Sequence, residues 1–372
     1  MFNDNTLELH GLIGNSSGGD IIASKSIFKY EGRNTTTALT TNLMFESNKI
    51  VVGKKNIMYI ADSNLYYESL LVRNGGRHSL GYISHEYEYI YVFAMSFGFA
   101  VFYKTLTDRH TSDFQIKFYD HECNLIKTTD VLTSQSEYNQ PVRVIEDSFN
   151  GNIYAAAYDY THMGNVFIFN KNRQLIDTKP TGGGYNLPSW AASNTVIYNN
   201  HIYGGSASER WLINYDLEKD EIVAKVYMSY NDYQNYNVAI DPKAGYAFYF
   251  RDGITYRLLN MEIVNTSSSC YNDEGYDRHF KCYNPNYITG APMIWGNDKG
   301  LMFDVKFPST PRDYKGNTYV PDIKLCPEFA SLSPTSNVYN VRCSMDGKNA
   351  IVFLGSKESD TSKHMTYDIY RR

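Results

Sequence analysis

Long apolar runs are missing from this chain: none approaches the ~18 residues needed to cross a bilayer, so no membrane insertion is expected. The opening stretch, Met1-Phe-Asn-Asp-Asn-Thr6, has neither a basic n-region nor an apolar h-region, so no signal peptide is expected and the chain reads as cytoplasmic when made. Cysteine is scarce and unpatterned. Its five positions, Cys123, Cys270, Cys282, Cys326 and Cys343, contain no CxxC pair, which excludes a disulfide framework or a zinc knuckle. Cys270 and Cys282 could bridge a Tyr/Asp-rich stretch, but free buried thiols are the expectation. Positive charge is not in excess either: the formal charge is −5, which argues against nucleic acid as a partner.

Catalytic and metal-binding patterns are absent as well. The nine histidines are scattered, without a His-x-His, HExxH or His-x₃-His pair, so no metal site and no cofactor are expected. No GxSxG nucleophile elbow occurs. Residues 182–190, Gly-Gly-Gly-Tyr-Asn-Leu-Pro-Ser-Trp, are glycine-rich but lack the Gly-Lys-Ser/Thr ending of a phosphate loop. The polar run Asp273-Glu-Gly-Tyr-Asp-Arg-His279 lacks the alternating Asp/Asn ladder of a calcium loop and reads as a solvated insertion. Helical signals are almost missing too, since no window sustains apolar residues at i, i+3, i+4, i+7 with caps.

What the chain does have is aromatic residues, 15% of the total, with 34 Tyr against 19 Phe and 3 Trp. Flat rings suit a pleated, half-buried surface, so most of these tyrosines are expected to pack on sheets. The organising stretch is 165–178, Asn-Val-Phe-Ile-Phe-Asn-Lys-Asn-Arg-Gln-Leu-Ile-Asp-Thr. It reads as a β-hairpin: an apolar run, a polar turn at 170–173, and a return strand.

That grammar recurs. Asn56-Ile-Met-Tyr-Ile-Ala followed by 65–72 and the breaker Arg73-Asn-Gly-Gly matches Asn152-Ile-Tyr-Ala-Ala-Ala followed by the hairpin and Thr181-Gly-Gly-Gly. With Ile50, Ile90, Ile153, Ile202, Ala247, Leu301 and Ile351 as second-strand markers, successive gaps are 40, 63, 49, 45, 54 and 50 residues. In the second of these units, the aromatic stretch 97–103 reads as an extra insertion between strands. A period of roughly 40–50 residues with four short strands is the mark of propeller blades. The expected fold is therefore an all-β β-propeller of seven four-stranded blades, with six as the runner-up, filling residues 1–372 as a single domain. A ring of blades must close or leave two sheet faces wet. The last unit shows only three strands, so residues 6–13, Thr-Leu-Glu-Leu-His-Gly-Leu-Ile, are expected to supply its outer strand.

Several phrases resemble those of known propeller repeats. Val341-Arg-Cys-Ser-Met-Asp-Gly-Lys-Asn-Ala-Ile-Val-Phe353 is similar to the Ser-x-Asp-Gly-Lys phrase of TolB and YVTN-type repeats. Ala239-Ile-Asp-Pro-Lys-Ala-Gly-Tyr-Ala-Phe-Tyr249 resembles the same turn, and residues 142–158 are a looser copy. The chain departs from WD-repeat proteins, with no recurring Gly-His or Trp-Asp dipeptides, and from sialidases, with no Ser-x-Asp-x-Gly-x-Thr-Trp box. The resemblance implies a ring with a central channel and a loop-lined face; it implies no reaction.

Residues 229–237, Ser-Tyr-Asn-Asp-Tyr-Gln-Asn-Tyr-Asn, interleave tyrosine with amides, as a surface contacting a protein or a sugar would. The candidate binding residues are Tyr230, Asp232, Tyr233 and Tyr236, with Tyr185 and Trp190 from the glycine-rich connection. No catalytic residue is assigned. The expected function is that of a non-catalytic binding or structural module presenting loops to a protein or glycan partner. It would be part of a multi-subunit assembly such as a virion, propellers being known in bacteriophage tails. The alternative is a lactonase, lyase or glycan-processing enzyme with acidic and histidine side chains converging at the channel mouth.

Overall fold

The computed structural model describes residues 26–37, 49–61, 63–73, 75–83, 89–105, 111–134, 136–159, 164–181, 188–192, 194–206, 211–228, 238–250, 253–266, 280–296, 302–308, 321–329, 341–354 and 364–372. They form seven antiparallel sheets, each a blade whose first strand lies innermost. Blade 1 holds Ile50–Val52, Asn56–Ala61, Asn64–Ser69 and His78–Tyr82. Blade 2 holds Ile90–Met95, Gly98–Thr105, Ser112–Asp120 and an outer strand in two pieces, Leu125–Thr128 and Leu132–Ser134. Thr129 joins those pieces, since its N–H and Oγ1 both bond the backbone of Ile116. Blade 3 runs Gln140–Glu146, Ile153–Tyr158, Asn165–Phe169, Leu175–Pro180, and blade 4 runs Val196–Tyr198, His201–Gly205, Trp211–Asp216, Glu221–Tyr227. Blade 5 comprises Val238–Asp241, Tyr246–Tyr249, Ile254–Arg257 and Glu262–Thr266; blade 6 comprises Lys281–Cys282, Met293–Gly296, Met302–Lys306 and Asp322–Leu325. Blade 7 takes Val341–Cys343, Asn349–Leu354 and His364–Arg371 from one end of the chain and Lys29–Thr37 from the other.

The core follows from strand alternation. In blade 1, Met58 and Ile60 pack on Ile90, Val92, Phe99 and Val101 of blade 2. Their neighbours Ile57 and Tyr59 point the other way, onto Ile351, Phe353 and Tyr367 of blade 7. Blade 2 repeats the rule, sending Ala100 and Phe102 towards Val144, Ile153 and Phe167 of blade 3. Blades 3 and 4 share a cluster, blades 4, 5 and 6 share another, and blades 6 and 7 a further one, so the apolar contacts run round the whole ring. A second strand buried on both faces is mostly apolar, and Asn56–Ala61 is buried along its full length, the amide of Asn56 donating to the His121 carbonyl (2.7 Å). Outer strands lack that constraint: Leu175–Pro180 is exposed almost throughout.

The hairpin at Asn165–Pro180 is the outer half of blade 3, with its turn where the residues place it. Asn170 Oδ1 accepts from the N–H groups of Asn172 (2.9 Å) and Gln174 (3.1 Å), and Arg173 adopts φ +63°. Blade 2 turns the same way on Asp120, with Cys123 at φ +64°. Both turns feed a bulge in the following pair of strands.

Three readings of the repeat are corrected by the ring. The stretch 97–103 is no insertion: Gly98–Thr105 is the second strand of blade 2, buried on both faces between blades 1 and 3. The markers also mix ranks. Ile50 and Ile90 open first strands, the segment after Leu301 is a third strand, and the others fall in second strands. Second strands begin 42, 55, 48, 45, 47 and 56 residues apart, a tighter spread than the markers suggested. The strand that closes blade 7 is Lys29–Thr37, in register from Lys29↔Arg371 to Thr37↔His364. Residues 6–13 lie outside the described residues.

Closure is reinforced by polar side chains. Arg33 donates to both oxygens of Asp368 (2.8 and 3.1 Å), a fork that pins the added strand. Arg372 does the same to Asp304 of blade 6 (2.9 and 2.5 Å). Tyr59 and Tyr367, from blades 1 and 7, donate their hydroxyls to the two oxygens of buried Glu68 (2.7 and 2.9 Å).

Candidate functional site: a basic cavity at the centre of the ring

The first strands surround the ring axis, and blade 6 treats the connection after its first strand differently from the others. Segment 283–292 leaves Lys281–Cys282 and crosses the ring before re-entering at Met293. On the way Asn286, 7% exposed, donates Nδ2–H to the carbonyls of Val144 (2.7 Å) in blade 3 and Ala94 (3.3 Å) in blade 2. Its Oδ1 accepts from Arg143 Nε (3.0 Å). The Tyr287 hydroxyl donates to Ile240 O of blade 5 (2.5 Å), the Ile288 N–H to Met345 O of blade 7 (3.0 Å), and the Ser148 and Thr289 hydroxyls meet at 2.7 Å. One segment therefore clasps blades 2, 3, 5 and 7 and closes the end of the channel where the first strands finish. Asn is suited to the position because it tolerates the left-handed φ of +62°.

Above this plug is a cavity of about 80 Å³ lined by first strands of blades 1, 2, 3, 6 and 7 and by Asn286 itself. A water needs about 10–15 Å³ by such a measure, so the space holds several waters or one small polyatomic ion. Its walls are aliphatic on the side of blades 1 and 2, from Ile50, Val52, Val92 and Ala94. On the other side Arg143, Lys281 and Arg342 reach it from blades 3, 6 and 7. Burial lowers the Arg143 and Arg342 guanidinium pKa values to about 10. Burial, and secondarily the charge of Arg342, brings Lys281 down to about 8. Arg143 is held in place by Asn286 and by the carbonyl of Ala192.

Two thiols, Cys282 and Cys343, share the lining and are free. Burial pushes the Cys282 thiol up to about 12 and drives Cys343 higher still, so both stay protonated and non-nucleophilic at neutral pH. Among the described residues, the lining contains no carboxylate and no imidazole. No group of three His, Cys, Asp or Glu side chains gathers to hold a metal ion among the described residues. No helix among them is long and apolar enough to cross a membrane.

Of the residues singled out in the sequence, Trp190 is 6% exposed and packs with Ile145, Ile168, Ile202 and Tyr215 between blades 3 and 4. It is a core side chain. Tyr185, Tyr230, Asp232, Tyr233 and Tyr236 lie outside the described residues. Their places in the chain are between-blade connections, the last four between Tyr227 of blade 4 and Val238 of blade 5. The three cations carried no signal in the sequence, since each is a single basic residue in an ordinary strand; the Val341-Arg-Cys phrase contained one of them unnoticed.

No protein-family model matches the chain, and no curated protein matches it. Among solved structures, BamB from Moraxella catarrhalis is similar at 8% identity over 93% of this chain and 100% of that one, with a TM-score of 0.35. The β-propeller domain of Cps50 (Swd1) from Myceliophteria thermophila is similar at 6% identity over 92% of this chain and 100% of that one, with a TM-score of 0.46.

Proposed function

We propose that this protein is a non-catalytic binding ring, a rigid seven-bladed scaffold that presents its between-blade connections to a protein or glycan partner within a larger assembly. The observation that carries this reading is the plug. A segment bonded to blades 2, 3, 5 and 7 ties the ring to itself and fills one end of the channel. What remains at the centre is a space whose described lining is cations, aliphatic groups and protonated thiols, without a carboxylate, an imidazole or a thiolate. Preorganised rigidity lowers the ordering cost of association, which suits a docking platform. Tyr230, Asp232, Tyr233, Tyr236 and Tyr185 are the side chains proposed for the contact, rigid aromatic area alternating with polar groups.

The test is fractionation of native lysates and particles with an antibody to the chain, bacteriophage tails being the first assembly to examine. Co-migration with a larger complex, lost when Tyr230, Tyr233 and Tyr236 are replaced together by alanine without a change in Tm, is the expected result. Recovery of the chain only as a free monomer, or turnover of a lactone or glycan by the purified protein, would overturn the reading.

A further inference from the structure

We propose that the central cavity is a binding site for a small oxyanion, a phosphate or carboxylate group, held by Arg143, Lys281 and Arg342.

The argument starts from where the three cations sit. They come from three different blades and line one central cavity. Arg143 and Arg342 are 4% and 8% exposed, a state guanidinium groups rarely adopt. Two of the charges, those of Lys281 and Arg342, come from adjacent first strands, and after burial itself the Arg342 charge is the second cause of the lowered Lys281 basicity. The blades are locked together there, since the Cys343 N–H donates to Tyr283 O (3.0 Å), so the two side chains cannot separate by moving their strands. Gathering like charges in a low-dielectric space is costly, and an anion among them converts that repulsion into attraction.

The shape agrees with the charge. About 80 Å³ admits a polyatomic ion of a few heavy atoms. Guanidinium groups offer planar forks that match the spacing of carboxylate and phosphate oxygens, and an ammonium adds a point charge with rotatable donors. Arg143 is already oriented, because Asn286 and the Ala192 carbonyl engage its Nε and one Nη. Asn286 thus serves both the plug and the site: the element that closes the channel also aims one of the anion's donors. Among the described residues lining the cavity, the titratable groups besides Lys281 are Arg342, Arg143, Cys282, Cys343 and Tyr283, the last three neutral when protonated. The site needs no macromolecular partner, so its test is independent of the docking function proposed above.

The experiment uses the purified full chain, titrated calorimetrically at pH 7 with inorganic phosphate and separately with acetate, at constant ionic strength set by sodium chloride. Lys281→Met, Arg342→Met and Lys281→Arg are compared with the parent, with circular dichroism and Tm establishing that each is folded. Saturable one-to-one binding of either anion is expected, about tenfold or more weaker in Lys281→Met and Arg342→Met and largely retained in Lys281→Arg. The tighter of the two anions identifies the chemical class. Absence of heat and of any Tm increase with both anions at millimolar concentration would overturn the proposal. So would binding that is equal in the parent and both methionine variants, since that would place the anion elsewhere. If the Arg342 variant does not fold, the Lys281 pair alone decides.

Discussion

Asn286 is the residue through which the crossing segment grips two other blades, and its replacement by alanine perturbs the ring at its centre. The side chain donates to two backbone carbonyls and accepts from a buried guanidinium. A neutral hydrogen bond contributes about 1 kcal/mol net and one to a charged group about 1.5–3 kcal/mol. Alanine at φ +62° adds about 1 kcal/mol of backbone strain. The sum is about 4–6 kcal/mol, and water entering the adjacent cavity returns part of it, so a loss of about 4 kcal/mol is expected. Denaturant unfolding followed by tryptophan fluorescence measures it. Asn286→Gly should recover about 1 kcal/mol of the alanine penalty, because glycine accepts the left-handed conformation but restores no hydrogen bond. A cost below about 1 kcal/mol for Asn286→Ala, or no difference between the alanine and glycine variants, would refute the account of the plug as a clasp.

Three further outcomes follow from the same geometry. The Lys281 ammonium is charged in both folded and unfolded chains below pH 8, whereas between about 8 and 10.5 only the unfolded chain keeps the proton, so its contribution to stability rises with pH across that window. Without an added oxyanion, Lys281→Met should therefore be the more stable protein at pH 7, by up to about 3 kcal/mol, with the gap closing towards pH 10. Denaturant midpoints for the pair at both pH values check this, the buried thiols cancelling between them. Glu68→Ala removes the acceptor of two buried tyrosine hydroxyls at the junction of blades 1 and 7 and should cost about 3 kcal/mol, with Tyr367→Phe costing about 1.5. A negligible effect of Glu68→Ala on the urea midpoint would contradict that junction. Trp190→Ala should lower stability by about 3–5 kcal/mol, as a core truncation does, and leave partner capture by the folded fraction unchanged.

The blades were readable because their cause is local. A strand buried on both faces is mostly apolar along its length, and a hairpin turn needs an Asn or Asp to accept its N–H groups, so Asn152-Ile-Tyr-Ala-Ala-Ala and the 165–178 stretch announced themselves. Gly98–Thr105 reads as an insertion because it follows the equally apolar Ile90–Met95 almost directly, and composition does not order neighbours of the same kind. The closing strand was harder. Lys-Tyr-Glu-Gly-Arg-Asn-Thr-Thr-Thr has no apolar alternation, since a ring's outer strand pairs along one edge and meets water on much of its surface; its identity rests on Arg33, Asn34 and the backbone of the last strand.

By itself, the amino-acid order determined the repeat and the blade and placed seven blades ahead of six, all consequences of periodicity within some fifty residues. The tertiary structure decided which N-terminal segment closes the ring, that one connection would cross the channel, and that three isolated basic residues would face one another. The reason is physical. Ring closure brings side chains together across blades distant in sequence, and no local pattern records a neighbour that exists only once the first and last blades have met.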